Sequence, residues 1–265
     1  MKLISFEKNG ENLLGAIKEG LIYDLHSMNH DISSTMLEFI EGGNSQLELA
    51  NAAIQNGKPS IPIDSVKLLS PLVNPPSVRD AYAFRQHVAT ARRNRGLEMI
   101  PEFDEIPIFY FTNHNAVFGP GDFPVLKRHT EKLDFELECA AVIGKGGRDI
   151  SASKADDYIT GFMIMNDFSA RVLQMQEMKL NLGPAKGKDF GSSFGPWLVT
   201  KDELEPYKKT SAEGDRYDLI MKAFVNEIQL SQDSLSNMTW TFAQIIERVS
   251  YGVDIYPGDI IGSGT

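Results

Sequence analysis

Glu136 and Glu138 stand two residues apart at the head of an apolar run, Cys139 to Ile143, which closes on Gly144 and Gly146-Gly147. A short apolar run ended by glycines predicts a buried strand, and residues two apart on a strand leave the same face. Two neighbouring carboxylates at the mouth of a core strand repel each other, and a divalent cation is the simplest neutraliser. A strand with a solvated outer face accounts for the same pair, so the two residues alone leave both readings open. Asp167 is a further acid at the end of an apolar run, Ile159 to Met165, within Asn166-Asp167-Phe168-Ser169-Ala170-Arg171. Singly, a strand-end aspartate is a turn residue. With Asp80, three carboxylate-bearing sites edge expected elements of one domain, which points towards a hard cation with oxygen ligands.

Asp80 opens Asp80-x-Tyr82-x-x-Arg85-Gln86-His87, which runs through Val88 to Arg92 with helix-forming content up to Gly96. Asp80 is expected just before that helix, where the dipole favours an acid, and the arginines at its end suit the opposite pole. Taken alone, His87 reads as a satisfied helix histidine and Tyr110 as a core residue. The glycine-rich loop Gly183 to Gly191 lacks the spacing and the Lys-Ser/Thr ending of a phosphate-cradling loop, so it implies no nucleotide.

The elements that must position these groups are short and mostly strands. The chain has 265 residues, 42% of them hydrophobic, enough for one large domain or a large and a small one. Leu3 to Phe6, Leu13 to Ile17 and Leu21 to Tyr23 predict a three-stranded meander. Helices follow at Thr35 to Ile40, with a Thr35-x-x-Glu38 capping box, and at Gln46 to Gln55. Five prolines between Pro59 and Pro76 flank one strand, Val66 to Leu69, and mark a boundary near residue 70. A small N-terminal α+β domain over 1–70 and a larger domain over 71–265 are therefore expected. Further strands are expected at Pro107 to Thr112, Ile159 to Met165 and Pro196 to Thr200. A hairpin should turn at Asn226-Glu227, a short helix span Ser153 to Tyr158, and an amphipathic helix span Thr241 to Val249. The closing Gly262-Ser263-Gly264-Thr265 reads as a loop.

The net charge of -10, from 26 basic and 36 acidic residues, argues against nucleic acid or an anionic membrane as the main partner. The one basic cluster, Arg92-Arg93-Asn94-Arg95, is too short to overturn that. Cys139 is the only cysteine and excludes an internal disulfide. The N-terminus carries no apolar signal region, and no apolar run approaches the ~20 residues of a membrane span. A cytoplasmic protein is expected.

Four separated motifs together resemble the fumarylacetoacetate hydrolase family, in that family's order. They are Asp-Phe-Glu-Leu-Glu at 134–138, Asn-Asp-Phe-Ser-Ala-Arg at 166–171, Gly-Lys-Asp-Phe-Gly at 187–191 and Gly-Asp-Ile-Ile-Gly-Ser-Gly-Thr at 258–265. The Asp80 to His87 run is similar to the form in fumarylacetoacetases proper. The resemblance covers roughly residue 65 onward and implies a mainly β fold with helices, a mixed β-sandwich roll. It also implies a metal-dependent hydrolase cleaving a C–C bond in a 1,3-dioxo acid of the fumarylacetoacetate or acylpyruvate type, in cytosolic catabolism.

Residue by residue, the resemblance makes Asp80, Glu136, Glu138 and Asp167 ligands of Mg2+ or Ca2+, with Mn2+ as a further option. His87 takes the place of the general base towards water. Lys188 and Gln174 face the developing negative charge, with Arg171 orienting that end. Tyr82, Tyr110 and Thr265 match substrate-contacting positions, and Ser192, with the Lys188 main chain, matches a second, structural magnesium site. A homodimer is a family expectation. The chain ends at Thr265, where the family continues with further strands and, in fumarylacetoacetases, an acid that orients the histidine. Met178 stands where close relatives carry a substrate-contacting tyrosine. Related outcomes are an oxo-acid decarboxylase or isomerase, or a metal-binding member without efficient catalysis.

Overall fold

The computed structural model describes all residues except Ser60 and Arg95, so the last arginine of the basic cluster lies outside the described residues. The meander forms as β1 (Lys2–Lys8), β2 (Glu11–Lys18) and β3 (Leu21–Asp24), followed by α1 (Met36–Glu41) and α2 (Gly43–Asn56). Thr35 caps α1 by accepting the Glu38 N–H. The Glu38 carboxylate, however, takes the Thr35 hydroxyl instead of the backbone N–H, so the box is only half formed. β4 (Val78–Ala81), α3 (Arg85–Arg93) and β5 (Phe109–Thr112) come next. β6 (Leu137–Ile143), β7 (Ile159–Asp167), α4 (Arg171–Met178) and β8 (Leu198–Thr200) follow. The hairpin β9 (Ile220–Val225) and β10 (Ile228–Ser234) turns at Asn226 and Glu227, both at positive φ. α5 (Phe242–Ser250), opened by a complete Thr241/Gln244 capping box, leads to β11 (Ile260–Gly262).

Among the described residues, one thirteen-stranded sheet holds most strands, in the order β3, β2, β1, β8, β7, β6, β11, β4, β5 along its main path. β1 joins β8 through Lys2↔Val199 and Leu3↔Leu198, so the N-terminal meander shares its sheet with the larger part of the chain. β6 is central, antiparallel to both β7 and β11. Its apolar run is continuous because both faces are buried. Cys139, Ala141 and Ile143 pack in one core with Phe242, Ile245, Ile246 and Val249 of α5. Ala140 and Val142 pack in the other, with Leu3, Leu14, Phe39 and Phe194.

One expectation changes. Asp80 is not a helix-capping residue; it lies within β4, because that segment pairs with β11 on one side and β5 on the other. Residues 263–265 form a loop after β11, as expected, but a closely held one. Ser263 is fully buried, donates its N–H to the Cys139 carbonyl at 2.8 Å, and its hydroxyl accepts the Cys139 N–H at 3.2 Å. No helix among the described residues is long and apolar enough to cross a membrane.

Candidate active site and metal centre

Sheet register brings the acids together. Glu136 and Asp167 exchange both backbone hydrogen bonds, at 3.1 and 3.0 Å, and Glu138 pairs with Met165 two residues further on. Gly262 pairs with Ala140 on one side and Asp80 on the other. By period two, Glu138, Asp167, Asp80 and Gly262 extend the sheet face that carries Ala140, Met165, Val78 and Ile260 into the second core. The acids take over where that apolar face ends.

Asp80, Glu138 and Asp167 are buried, and one carboxylate oxygen from each lies within 4.8 Å of the others. Burial pushes the Asp80 carboxyl up to about 7, and the Asp167 charge adds to it. Burial and then the charge of Asp80 raise Glu138 well above the carboxylate range. Burial raises Asp167 as well, against the pull of the Lys188 ammonium. Gly264 donates its N–H to Asp80 Oδ1 at 3.2 Å and to Glu138 Oε2 at 2.9 Å. Glu138 Oε1 is buried with no hydrogen-bond partner among the described residues.

Three close carboxylates in a desolvated pocket, one of them with a buried oxygen unpartnered among the described residues, fit a hard divalent cation. The donor set is all oxygen, which suits Mg2+, Ca2+ or Mn2+. Ser192, expected at a second metal site, is buried and donates its hydroxyl to Asp167 Oδ1 at 3.3 Å.

Glu136 lies outside this trio. Lys188 grips Glu136 Oε2 and Asp167 Oδ2 together, and Arg171 donates to Glu136 Oε1 at 2.9 Å. Burial alone would raise the Glu136 carboxyl, but the two cations hold it below its ordinary value. Arg171 also donates to Asp134 at 2.7 Å and to Gln174 at 2.9 Å, so it knits the start of α4 to the strand approach. Tyr110 is not simply core: its hydroxyl donates to Asp167 Oδ2 at 2.6 Å.

A cavity of about 810 Å3 opens over these groups. Asp80, Tyr82, His87, Tyr110, Glu136, Arg171, Gln174, Met178, Lys188 and Thr265 all contribute to its lining. The structure therefore gathers the expected site residues around one space, with Glu138, Asp167 and Ser192 buried beneath it. His87 sits in the first turn of α3, and its ring meets Tyr82 edge-on at 6.3 Å between centroids.

Three positioning groups escape a reading of the sequence. Gly262 must lack a side chain, since a Cβ there would stand 2.5 Å from Asp80 Oδ1 and 3.0 Å from Glu138 Oε2. Gly264 supplies the bridging N–H at a φ of +67°, which suits glycine. Glu177 of α4 accepts the N–H groups of Ala185, Lys186 and Gly187 at 3.0, 2.7 and 3.1 Å, and so fixes the loop that carries Lys188. The glycine-rich loop offered the only hint, because its exposed N–H groups need an acceptor.

Comparison with known proteins bears on the family and the fold. The family model for the fumarylacetoacetate hydrolase C-terminal domain matches residues 77–265. A mitochondrial oxaloacetate tautomerase of Bos taurus is 30% identical over 246 residues, 93% of this chain and 73% of the relative. A fumarylacetoacetase of Arabidopsis thaliana is 34% identical over 176 residues, 58% of this chain and 39% of the relative. Among solved structures, maleylpyruvate hydrolase from Sphingobium sp. SYK-6, in complex with manganese(II) and pyruvate, superposes with a TM-score of 0.76 at 22% identity. That match covers 100% of this chain and 88% of the other and shows a shared fold. Fumarylacetoacetate hydrolase from Exiguobacterium antarcticum gives 0.70 at 25% identity, over 100% and 86%. By name these relatives are hydrolases and a tautomerase, so the family is one of enzymes. Sequence and fold together make this chain a member of the fumarylacetoacetate hydrolase family.

Proposed function

We propose that the chain is a metal-dependent hydrolase that cleaves a C–C bond in a 1,3-dioxo acid of the acylpyruvate or fumarylacetoacetate type. The observation that carries this reading is the trio of buried carboxylates, Asp80, Glu138 and Asp167, beneath a cavity whose wall holds His87 and Lys188. Those three residues would hold Mg2+, Mn2+ or Ca2+, and Glu136 stays with its two cations. A bound divalent ion would supply Lewis acidity towards the oxygens of an enolised dicarbonyl.

The chain's own residues account for the rest. His87 takes a proton from water, and the hydroxide oxygen bonds to the acyl carbonyl carbon. The bond from that carbon to the methylene breaks, its electron pair leaves as the enolate of the smaller oxo acid, pyruvate from an acylpyruvate or acetoacetate from fumarylacetoacetate, and the proton from His87 goes to the former methylene carbon to complete the products. The Lys188 ammonium, held between Glu136 and Asp167, places positive charge where the enolate oxygen develops. Arg171 and Gln174, hydrogen-bonded to each other, orient that wall. Tyr82 and Thr265 line the substrate space.

A second reading, tautomerisation of oxaloacetate, is favoured by the bovine relative matched over 93% of this chain. Such a reaction moves a proton between carbon and oxygen and breaks no C–C bond. Acetylpyruvate, fumarylpyruvate, fumarylacetoacetate and oxaloacetate, each with and without Mg2+, separate the two. The hydrolase reading expects metal-dependent loss of diketone ultraviolet absorbance with release of pyruvate or acetoacetate. Enol-keto exchange of oxaloacetate without cleavage of any dioxo acid would replace it by the second reading.

A homodimer in the cytoplasm completes the proposal. Ile220, Phe224, Ile228 and Leu230 of the β9–β10 hairpin are each more than half exposed, an apolar surface that a second copy would cover. Sedimentation equilibrium should return twice the chain mass; a single chain mass at micromolar concentration would refute the dimer.

A further inference from the structure

Among the described residues, three cations line the main cavity: Lys132, Arg171 and Lys188. Two of them are engaged, Lys188 by Glu136 and Asp167 and Arg171 by Asp134 and Glu136. Lys132 makes no hydrogen bond or ion pair with a described residue.

Its place follows from one continuous register. Leu137 pairs with Asn166, Glu136 exchanges backbone hydrogen bonds with Asp167, and Asp134 pairs with Ser169, so the chain approaches β6 extended against a single partner. Glu138, Glu136 and Asp134 therefore share a face by period two. Glu138 is fully buried, the Glu136 side chain is 17% exposed and the Asp134 side chain 47%, so this row runs from the carboxylate trio outwards to solvent. Lys132, exposed and two residues beyond Asp134, stands at the outer end, in the short turn Thr130–Lys132. Glu136 and Asp134 are matched by Arg171 and Lys188, and Lys132 is the first charge in the row left over. On α4, Arg171, Gln174, Met175 and Met178 line the same cavity at helical spacing, so its polar end gives way to an apolar wall.

We infer that Lys132 is a specificity-determining residue: its ammonium takes a carboxylate at the far end of the acyl chain, and the substrate is a dioxo acid charged at both ends. The dioxo end lies over the carboxylate trio, the hydrocarbon part of the acyl chain passes Met175 and Met178, and the second carboxylate meets the cavity's one cation left unpaired by a described residue. A charge-assisted hydrogen bond there separates such a substrate from one whose acyl group ends in methyl. This assignment rests on the C–C hydrolase reading and names its substrate class.

Fumarylpyruvate and acetylpyruvate test it, because they share the dioxo acid and differ at that end, a carboxylate against a methyl group. With Mn2+-loaded enzyme, the ratio of kcat/KM for fumarylpyruvate to that for acetylpyruvate should fall about 5- to 20-fold in Lys132→Gln, chiefly through the KM of fumarylpyruvate. Lys132→Arg should restore most of the ratio. Raising NaCl from about 50 to about 500 mM should lower the ratio in the parent enzyme and not in Lys132→Gln, since salt screens a charge at the cavity mouth. A parent that prefers acetylpyruvate, or a ratio that Lys132→Gln leaves intact, would overturn the assignment. Should the parent cleave neither compound, the hydrolase reading falls, and calorimetry of fumarylpyruvate with the Mn2+-loaded proteins decides Lys132 separately. Binding weaker by about fivefold or more in Lys132→Gln then sustains the assignment, and equal binding overturns it.

Discussion

Asp80 and Glu138 are bridged by a single backbone N–H, that of Gly264, which reaches both carboxylates at 3.2 and 2.9 Å. The two acids lie 58 residues apart in the chain and on different strands, with β11 between those strands. β11 and the residues after it therefore complete the carboxylate cluster from the main chain, and at Gly262 a side chain would fill the space that Asp80 and Glu138 use.

Gly262→Ala tests that dependence. Its Cβ would stand 2.5 Å from Asp80 Oδ1 and 2.8 Å from Met165 Sδ, so the carboxylate must move. Mn2+ affinity measured by calorimetry should drop at least about tenfold, since displaced support for ligands costs on that order. Unaltered affinity would mean that the site tolerates the methyl group.

Stability of the metal-free protein should fall as pH rises. The Asp80 carboxyl titrates near 7 in the fold against 3.8 when unperturbed, because burial penalises its charge. The fold thus keeps a proton that the unfolded chain releases. Its contribution is full below 3.8 and is lost as pH rises through about 7. Glu138 and Asp167 are shifted in the same direction. The thermal midpoint in EDTA should decline from about pH 5 to about pH 7.5, and added Mg2+ should offset most of that decline. A midpoint independent of both pH and metal would contradict the coupling.

Removing the buried ammonium should be costly. Lys188→Met leaves Glu136 and Asp167 without the cation they share, and breaking such a pair costs about 3–5 kcal/mol. Urea unfolding should show that loss in the metal-free protein and a smaller one with Mg2+ bound. Equal losses in both states would show that the ion does not neutralise Asp167.

Glu177→Ala should separate loop order from metal binding. It removes the acceptor for three backbone N–H groups ahead of Lys188. Turnover of acetylpyruvate should fall about 10-fold or more by misplacement of Lys188, with Mn2+ affinity retained. Retained turnover would assign Glu177 a purely local role.

Much of this architecture is legible in the sequence wherever one segment decides its own fate. The doubly buried β6 shows as an unbroken apolar run, the β9–β10 turn as Asn226-Glu227, and α5 as a capped amphipathic stretch. Asp80 reads in the sequence as an acid ahead of a helix, because Val78-Arg79-Asp80-Ala81 has no strand period of its own and is extended by its neighbours β11 and β5. The division of labour among the acids was also hidden. Glu136 and Glu138 are equivalent as types and spacing, yet one is neutralised by Lys188 and Arg171 and the other is left with an orphaned oxygen. That difference depends on groups 35 or more residues away in the chain.

Glu138→Gln gives the most direct test of the central claim, that the buried carboxylates hold a divalent ion on which turnover depends. The substitution keeps the shape and can still accept the Gly264 N–H, but removes one negative charge from the trio. Mn2+ binding and acetylpyruvate cleavage, measured on the same folded preparation, should both be lost, and the parent enzyme should lose cleavage in chelator and regain it with Mg2+ or Mn2+. Full cleavage by Glu138→Gln, or by the parent enzyme stripped of metal, would contradict the account.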